Sequence, residues 1–405
     1  MLEEPTLFEP QLQGEPMSAS ASSNPLASLQ AELQQLEARQ NLRRLPRAEH
    51  CGKTLQTEGR AMLNLSSNDY LGLATDEALR MEFLQTLTPE NFLPSASSAR
   101  LLTGNFPAHE ALEQELAHRF GRESALVFNS GYHMNLGILP AVCDARSLIL
   151  ADKLVHASLI DGIRLSGARC IRFRHNHYDQ LEQLLERHHR DYERIVVVTE
   201  SLFSMDGDEA DLRRLVALKH RYPNVLLYVD EAHAIGVRGP HGLGCAEEQG
   251  CLADIDFLCG TFGKALASVG GYIVCSQLVR DYLVNRMRPF IFTTALPPVN
   301  LQWTLFLFRQ LDRWSEARAH LQRLSNRLAT ALRERGYDCP STSHILPLTV
   351  GESEAAVRKA LELQRNGFYV LPVRPPTVPE GTSRLRLSLT AALTDEEIDR
   401  LIAAL

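Results

Sequence analysis

Several things are scarce or missing in this sequence of 405 residues, and each absence closes a class of function. The eight cysteines, Cys51, Cys143, Cys170, Cys245, Cys251, Cys259, Cys275 and Cys339, include no CxxC pair. They read as free, mostly buried thiols in a reducing compartment, not as a disulfide framework. No apolar run approaches the roughly 18 residues that a membrane span requires. The N-terminus carries Glu3, Glu4 and Glu9 and lacks the basic segment of a secretory signal. A soluble cytoplasmic protein with no membrane partner is the expectation. Positive charge is not in surplus: 42 Lys and Arg stand against 49 Asp and Glu, a net charge of -7. Such a chain has no global field for a phosphate backbone, so no nucleic-acid partner is expected.

Familiar chemical motifs are missing as well. The glycines at 236, 239, 242 and 244 do not make GxGxxG. Gly263-Lys264 resembles the end of a P-loop, but Leu258 stands where its first glycine belongs and Ala265 follows the lysine. No GxSxG elbow is present. His175 with His177, and His188 with His189, lack the spacing and partners of a zinc site and read as solvated surface, so no metal is expected. There is no internal repeat.

What is there is an ordinary globular share of apolar residues, 44%, enough for a sizeable core. Residues 1–24 are polar, Ser- and Pro-rich, and read as a disordered arm. Asn24 and Pro25 then suit the start of a helix with Leu26, Leu29, Leu33 and Leu36 on one face, stopped by Pro46. This helix and a connecting segment fill 25–63. From 64 to 290 short apolar runs alternate with amphipathic helices. Strands are expected at Ala125–Phe128, Ser147–Leu150, Ile195–Thr199, Val225–Val229, Phe257–Cys259 and Tyr272–Cys275. Helices are expected at His109–Phe120, Tyr178–His188 and Leu212–His220. Apolar strands alternating with helices predict an α/β fold, a mostly parallel sheet with helices on both faces. From 291 to 405 the pattern changes to a smaller α+β domain. There Leu301–Arg335 reads as helix, and Leu385, Leu387 and Leu389 alternate with Arg384, Arg386 and Ser388 as a half-exposed antiparallel strand. Thr394 and Glu397 form the capping box of a last helix.

Three segments carry chemistry. Asp230, in Asp230-Glu231-Ala232-His233, ends an apolar strand and faces the crevice where open α/β sheets bind ligands. Lys264 follows another strand, flanked by small residues. A lysine opposite an aspartate in one cleft is what pyridoxal 5'-phosphate needs: the amine bonds the aldehyde and the carboxylate keeps the pyridine nitrogen protonated. Two unit charges 4 Å apart at an effective dielectric near 20 interact by about 4 kcal/mol, ample for that task. Asn129-Ser130-Gly131-Tyr132 joins a strand to a helix, whose free N–H groups suit a phosphate.

In these segments the sequence resembles the α-oxoamine synthases, fold-type-I pyridoxal-phosphate transferases that join an amino acid to an acyl thioester with loss of carbon dioxide. The resemblance runs from about residue 26 to 405. It includes Ser66-Ser67-Asn68-Asp69-Tyr70-Leu71-Gly72, His156-Ala157-Ser158-Leu159, Glu200 to Asp208 and Thr261-Phe262-Gly263-Lys264. It implies that Lys264 binds the cofactor and moves the Cα proton, that Asp230 pairs with the pyridine nitrogen, and that His156 stacks on the ring and serves as a proton source. Ser204 and His233 are implied near the ring oxygen. Gly131, Tyr132 and Thr261 are implied at the phosphate, joined by Thr293 and Thr294 from the neighbouring subunit of a homodimer with shared active sites. Arg386 is implied to bind the amino-acid carboxylate, and Arg43, Asn68 and Thr377 to contact substrate.

The string Arg374-Pro375-Pro376-Thr377-Val378-Pro379-Glu380-Gly381-Thr382 is similar to that of the family branch that uses L-alanine and a pimeloyl thioester. Glycine C-acetyltransferase is the alternative within the family. Coenzyme A and an acyl carrier protein both stay open as acyl carrier. Ser95-Ala96-Ser97-Ser98-Ala99-Arg100 replaces a glycine-rich loop found in relatives, a departure that bears on acyl preference.

Overall fold

A computed structural model describes residues 24–405. The expected arm therefore lies, but for Asn24, outside the described residues. The chain divides into a unit ending at Leu45 and a second one from Pro46 to Leu405.

In the first unit the helix is Ala27–Ala38, shorter than expected. Asn24 does not cap it: its Oδ1 accepts from the Leu26 amide, and Leu26 takes the N-cap position. Leu26, Leu29 and Leu33 are exposed.

The second unit begins with a hairpin, β1 (Glu49–Cys51), β2 (Thr54–Thr57) and β3 (Arg60–Asn64). Seven strands then build the main sheet: β4 (Ser124–Phe128), β5 (Ser147–Asp152), β6 (Arg169–Phe173), β7 (Arg194–Glu200), β8 (Val225–Asp230), β9 (Phe257–Thr261) and β10 (Gly271–Cys275). Their order is β4-β10-β9-β8-β7-β5-β6. Only β10 runs antiparallel to its neighbours, so the sheet is mostly parallel, as the apolar strands predict. Alternate strand residues enter two different cores. Val127, Leu148, Val197 and Val229 pack with the helix residues Leu112, Leu181 and Leu215, whereas Phe128, Ile149, Val198 and Tyr228 pack with Ile138, Leu159 and Leu283. The period of two thus puts helices on both faces. Each buried Val or Leu contributes roughly 1.5–3 kcal/mol.

The remaining strands are β11 (Ile345–Gly351), β12 (Phe368–Tyr369), β13 (Pro372–Val373) and β14 (Ser383–Ser388). β12 adds in parallel to β3, so residues 60–64 and 368–369 share a sheet. β11, β14 and β13 make an antiparallel sheet of three.

Three expectations need correction. Leu301–Arg335 is not one helix: Pro298–Arg309 and Ser315–Glu334 are separated by a 3-10 turn at Leu311–Trp314, whose Leu311 and Trp314 are buried. β14 is antiparallel but not half-exposed: Arg384 is buried against Asp206, and Arg386 is partly covered, because the loop after β7 packs over them. His175 is not solvated surface. It bridges Asp152 (3.0 Å) and Asp208 (2.7 Å) and packs edge-on against Phe203. Burial alone would lower its pKa, but the two carboxylates carry it up to about 10. This buried ion cluster ties the end of β5 to the loop after β7.

Two helices of one layer meet closely at Gly162, in the helix Ala157–Ser166. A Cβ there collides with the backbone carbonyl oxygen of Asn135, in the helix Gly131–Val142. Gly162→Ala should destabilise the protein by about 1–3 kcal/mol through overpacking. Urea denaturation checks this, and an unchanged midpoint would refute the close packing.

Candidate active site

Five chain segments leave the same rim of the sheet, the carboxyl ends of its parallel strands. β4 leads to Ser130-Gly131, β5 to His156, β7 to Ser204, β8 to Asp230 and His233, and β9 to Lys264. β8 and β9 are paired in parallel with Asp230 opposite Cys259, so the aspartate and the lysine leave adjacent strands. A rim of this kind is where open α/β sheets bind ligands.

Lys264 is half-buried, and its Nζ lies 2.8 Å from His233 Nε2. Burial lowers the amine to about 8, from an ordinary 10.5, against the upward pull of Asp230 and Glu200. His233 is buried, and its pKa falls well below the usual histidine range, through burial and then the charges of Lys264 and Arg386. Its Nδ1 is 2.7 Å from the Tyr70 hydroxyl.

Asp230 is buried and held from two sides. The Ala232 amide donates to Oδ1 at 2.9 Å, and Asn135 Nδ2 donates to Oδ2 at 2.8 Å. Asn135 also donates to Ser158 Oγ (2.9 Å) and accepts from the Tyr228 hydroxyl (2.6 Å). Ser158 in turn meets His156 Nδ1 at 2.8 Å. Asp230 and His156 are thereby linked through two neutral side chains. His156 keeps an exposed edge, and burial of the rest lowers its pKa despite Asp230. Glu200 lies beneath this group, fully buried, with Oε1 unpartnered. Burial, then the charge of Asp230, pushes its carboxyl up to about 8, which disfavours a second negative charge beside Asp230.

On the opposite wall β14 presents Arg386. Its Nε donates to the Ser204 carbonyl, Nη1 to Asn68 Oδ1 (3.1 Å) and Ser388 Oγ (2.9 Å), and Nη2 to the Tyr70 hydroxyl (3.1 Å). The structure therefore gathers Lys264, His233, Asn68, Ser204 and Arg386 into one cluster, with Asp230 and His156 in a second on the same rim.

The phosphate candidates also adjoin one another. Ser130 caps the helix that begins at Gly131, accepting from the His133 amide at 3.1 Å. The first amides of a helix, here those of Gly131 and Tyr132, have no intrahelical partner. A Cβ on Gly131 would touch the Thr261 side chain at 3.4 Å, and one on Gly271 would crowd the Gly131 nitrogen at 2.9 Å, so small residues keep this corner open. Tyr132 is exposed and donates its hydroxyl to Asp161. Thr293 and Thr294 lie against Asn129 of the same chain, whose Nδ2 donates to Thr293 Oγ1 (3.4 Å) and the Thr294 carbonyl (2.7 Å).

Two further predicted residues lie on other segments. Arg43 belongs to the N-terminal unit. Thr377 sits on an exposed turn between β13 and β14, its amide donating to the Arg374 carbonyl (3.0 Å) after a cis Pro375–Pro376 bond. The loop Ser95–Arg100 is anchored by Arg100, which pairs with buried Glu113, and by the Ser98 carbonyl, which accepts from the Ala295 amide (2.9 Å).

Sequence reasoning missed Asn135 and Tyr228 and gave Tyr70 and Glu200 no role. The available signal was polarity out of place: Asn135 among Met134, Leu136 and Ile138, and Glu200 closing an apolar strand. Among the described residues no group of side chains could hold a metal ion, and no helix is long and apolar enough to cross a membrane.

Residues 60–405 match the family model "Aminotransferase class I and II", and the chain belongs to that family. It is 56% identical to a putative 8-amino-7-oxononanoate synthase of Pasteurella multocida over 93% of this chain and 97% of that one. It is 58% identical to 8-amino-7-oxononanoate synthase of Haemophilus ducreyi over 90% and 96%. Among solved structures, a serine palmitoyltransferase from S. paucimobilis with PLP and myriocin bound superposes with a TM-score of 0.86 at 30% identity, covering 94% of this chain and 97% of that one. The 8-amino-7-oxononanoate synthase of Francisella tularensis superposes at 0.73 and 26% identity, covering 85% and 96%. Within the family, the chain groups with the 8-amino-7-oxononanoate synthases.

A depressed amine pKa is directly measurable. In cofactor-free protein, acetylation of Lys264 should accelerate through a midpoint near pH 8, as the neutral amine forms. Peptide mass spectrometry reads the modified fraction, and a midpoint near that of an ordinary lysine would contradict the buried site.

Proposed function

We propose that the protein is a cytoplasmic, pyridoxal-phosphate-dependent acyltransferase that condenses L-alanine with a pimeloyl thioester. The products are 8-amino-7-oxononanoate, carbon dioxide and a free thiol, a step towards biotin. The observation that carries this reading is the half-buried Lys264 amine just after β9, the strand next to the one that ends in Asp230, with Arg386 across the same cleft.

The residues present fit the cofactor. A buried carboxylate, held by Asn135 and the Ala232 amide, suits a protonated ring nitrogen. An amine lowered to about 8 suits bonding to an aldehyde. The open corner at Gly131, Tyr132 and Thr261 suits a phosphate. Bound there, pyridoxal 5'-phosphate supplies an electron sink for the charge left at the amino-acid Cα.

The chain's own groups do the rest. Arg386 takes the alanine carboxylate. It already donates through three nitrogens, and five N–H groups let it accommodate one more acceptor. Lys264 removes the Cα proton. His156, linked through Ser158 and Asn135 to Asp230, would hold the face of the ring and serve as the proton source after carbon dioxide leaves. Ser204 and His233 serve the ring oxygen. Asn68, Thr377 and Arg43 are assigned to the substrates, with coenzyme A or an acyl carrier protein as the thiol. Thr293 and Thr294 are assigned to the phosphate of the partner's site in a homodimer. The large and small domains are taken as 64–290 and 291–405, with the cleft between the sheet rim and β14.

The test is a comparison of thioester-dependent turnover with three pairs: L-alanine with pimeloyl thioester, glycine with acetyl-CoA, and serine with palmitoyl-CoA. The first pair should dominate, and a preference for either other pair overturns the substrate assignment. Lys264→Ala should abolish turnover. Arg386→Lys should raise the KM for L-alanine by roughly 10- to 100-fold, since a hydrogen bond to a charged group is worth about 1.5–3 kcal/mol.

A further inference from the structure

Tyr70 has no role in the reaction just described, yet it stands at the centre of the site. It is fully buried, and its hydroxyl has three polar neighbours: Asn68 Oδ1 (3.0 Å), His233 Nδ1 (2.7 Å) and Arg386 Nη2 (3.1 Å). We propose that Tyr70 is a positioning residue that sets the tautomer of His233, and through it the proton affinity of Lys264, according to what Arg386 and Asn68 are bound to.

Counting protons leads there. A phenol has one hydrogen to give. The arginine only donates. The Asn68 atom must be the carbonyl oxygen, because Arg386 Nη1 donates to it as well. Only His233 can play either part. When the Tyr70 hydrogen points to Asn68, His233 must carry its proton on Nδ1 and donate to the phenol oxygen. Nε2 is then a lone pair facing Lys264, and it favours the ammonium form. When the hydrogen points to His233, the imidazole proton sits on Nε2 and favours the neutral amine. A doubly protonated imidazole does not enter, since burial and two nearby cations hold His233 well below its usual range.

The neighbouring charges do not offer another relay. Asp230, Glu200 and Arg386 act on Lys264 through space. His156 and His344 face His233, and His344 packs against Tyr70 with ring centroids 4.0 Å apart and the planes tilted by 58°, but its Nε2 has no hydrogen-bond partner. In the free protein the Tyr70 hydrogen is divided between Asn68 and His233, and a carboxylate arriving at Arg386 adds an acceptor beside the hydroxyl that draws the remainder away from His233. Substrate binding on β14 thereby raises the basicity of the amine after β9.

The inference rests on the proposed function for the identity of that carboxylate, but its test does not. Tyr70→Phe leaves an Nδ1–H without an acceptor, so the proton moves to Nε2. The acetylation midpoint of Lys264 in cofactor-free protein should fall by at least half a pH unit. Asn68→Ala removes the other acceptor of the Tyr70 hydrogen and should lower the midpoint in the same direction, which covers the case of one variant not folding. In the cofactor-loaded Tyr70→Phe enzyme, the L-alanine concentration that half-saturates the change in visible absorbance should rise about tenfold. An unchanged Lys264 midpoint in either folded variant overturns the relay. Wild-type protein that never responds to L-alanine would instead overturn the substrate assignment, and leaves the midpoint measurement standing as the test of Tyr70.

Discussion

The parallel pairing of β8 with β9 is the constraint on which the site depends. It puts Asp230 and the segment leading to Lys264 side by side at one rim, and it does so with backbone hydrogen bonds that neither side chain supplies. The strands are buried on both faces, so their register cannot slip without moving a whole row of Val, Leu and Ile from one core to the other. Opposite charges are therefore held near each other by apolar packing, at a place where they would not persist on a flexible surface.

Around that pair the protein spends neutral hydrogen-bonding groups, not further charge. Asn135, Ser158 and Tyr228 orient Asp230 and His156 without competing for protons. Glu200 is close to Asp230, but its burial raises its pKa and so disfavours a second negative charge there. The result is a cleft in which one carboxylate and one amine keep well-separated roles, as a ring nitrogen and an aldehyde require.

The second wall comes from far along the chain. β14 brings Arg386 to Ser204, and Arg384 to Asp206, so the loop after β7 is clamped from above by arginines and from the side by the Asp152–His175–Asp208 cluster. Tyr70, from near the start of the second unit, joins the two walls through His233 and Arg386. Three segments separated by hundreds of residues thus meet at one phenol oxygen.

Much of this was legible without coordinates. The strand set, the alternation with helices, Asp230, Lys264 and the Ser130-Gly131 turn follow from local pattern, because periodicity and strand-end chemistry are short-range properties. β6 was missed because Arg169 and Arg172 interrupt its apolar character, and the break at Leu311–Trp314 was missed because its buried residues keep a helical look. Asn135 and Tyr70 could not be assigned roles from sequence, since a polar residue in an apolar stretch does not name its partner. Sequence by itself determined where the apolar strands of the main sheet run and which chemistry their ends could offer. Only the tertiary structure decided which side chains share a proton, because hydrogen-bond partners in the site such as Asn68 and Arg386, about 3 Å apart in space, lie 318 residues apart in the chain.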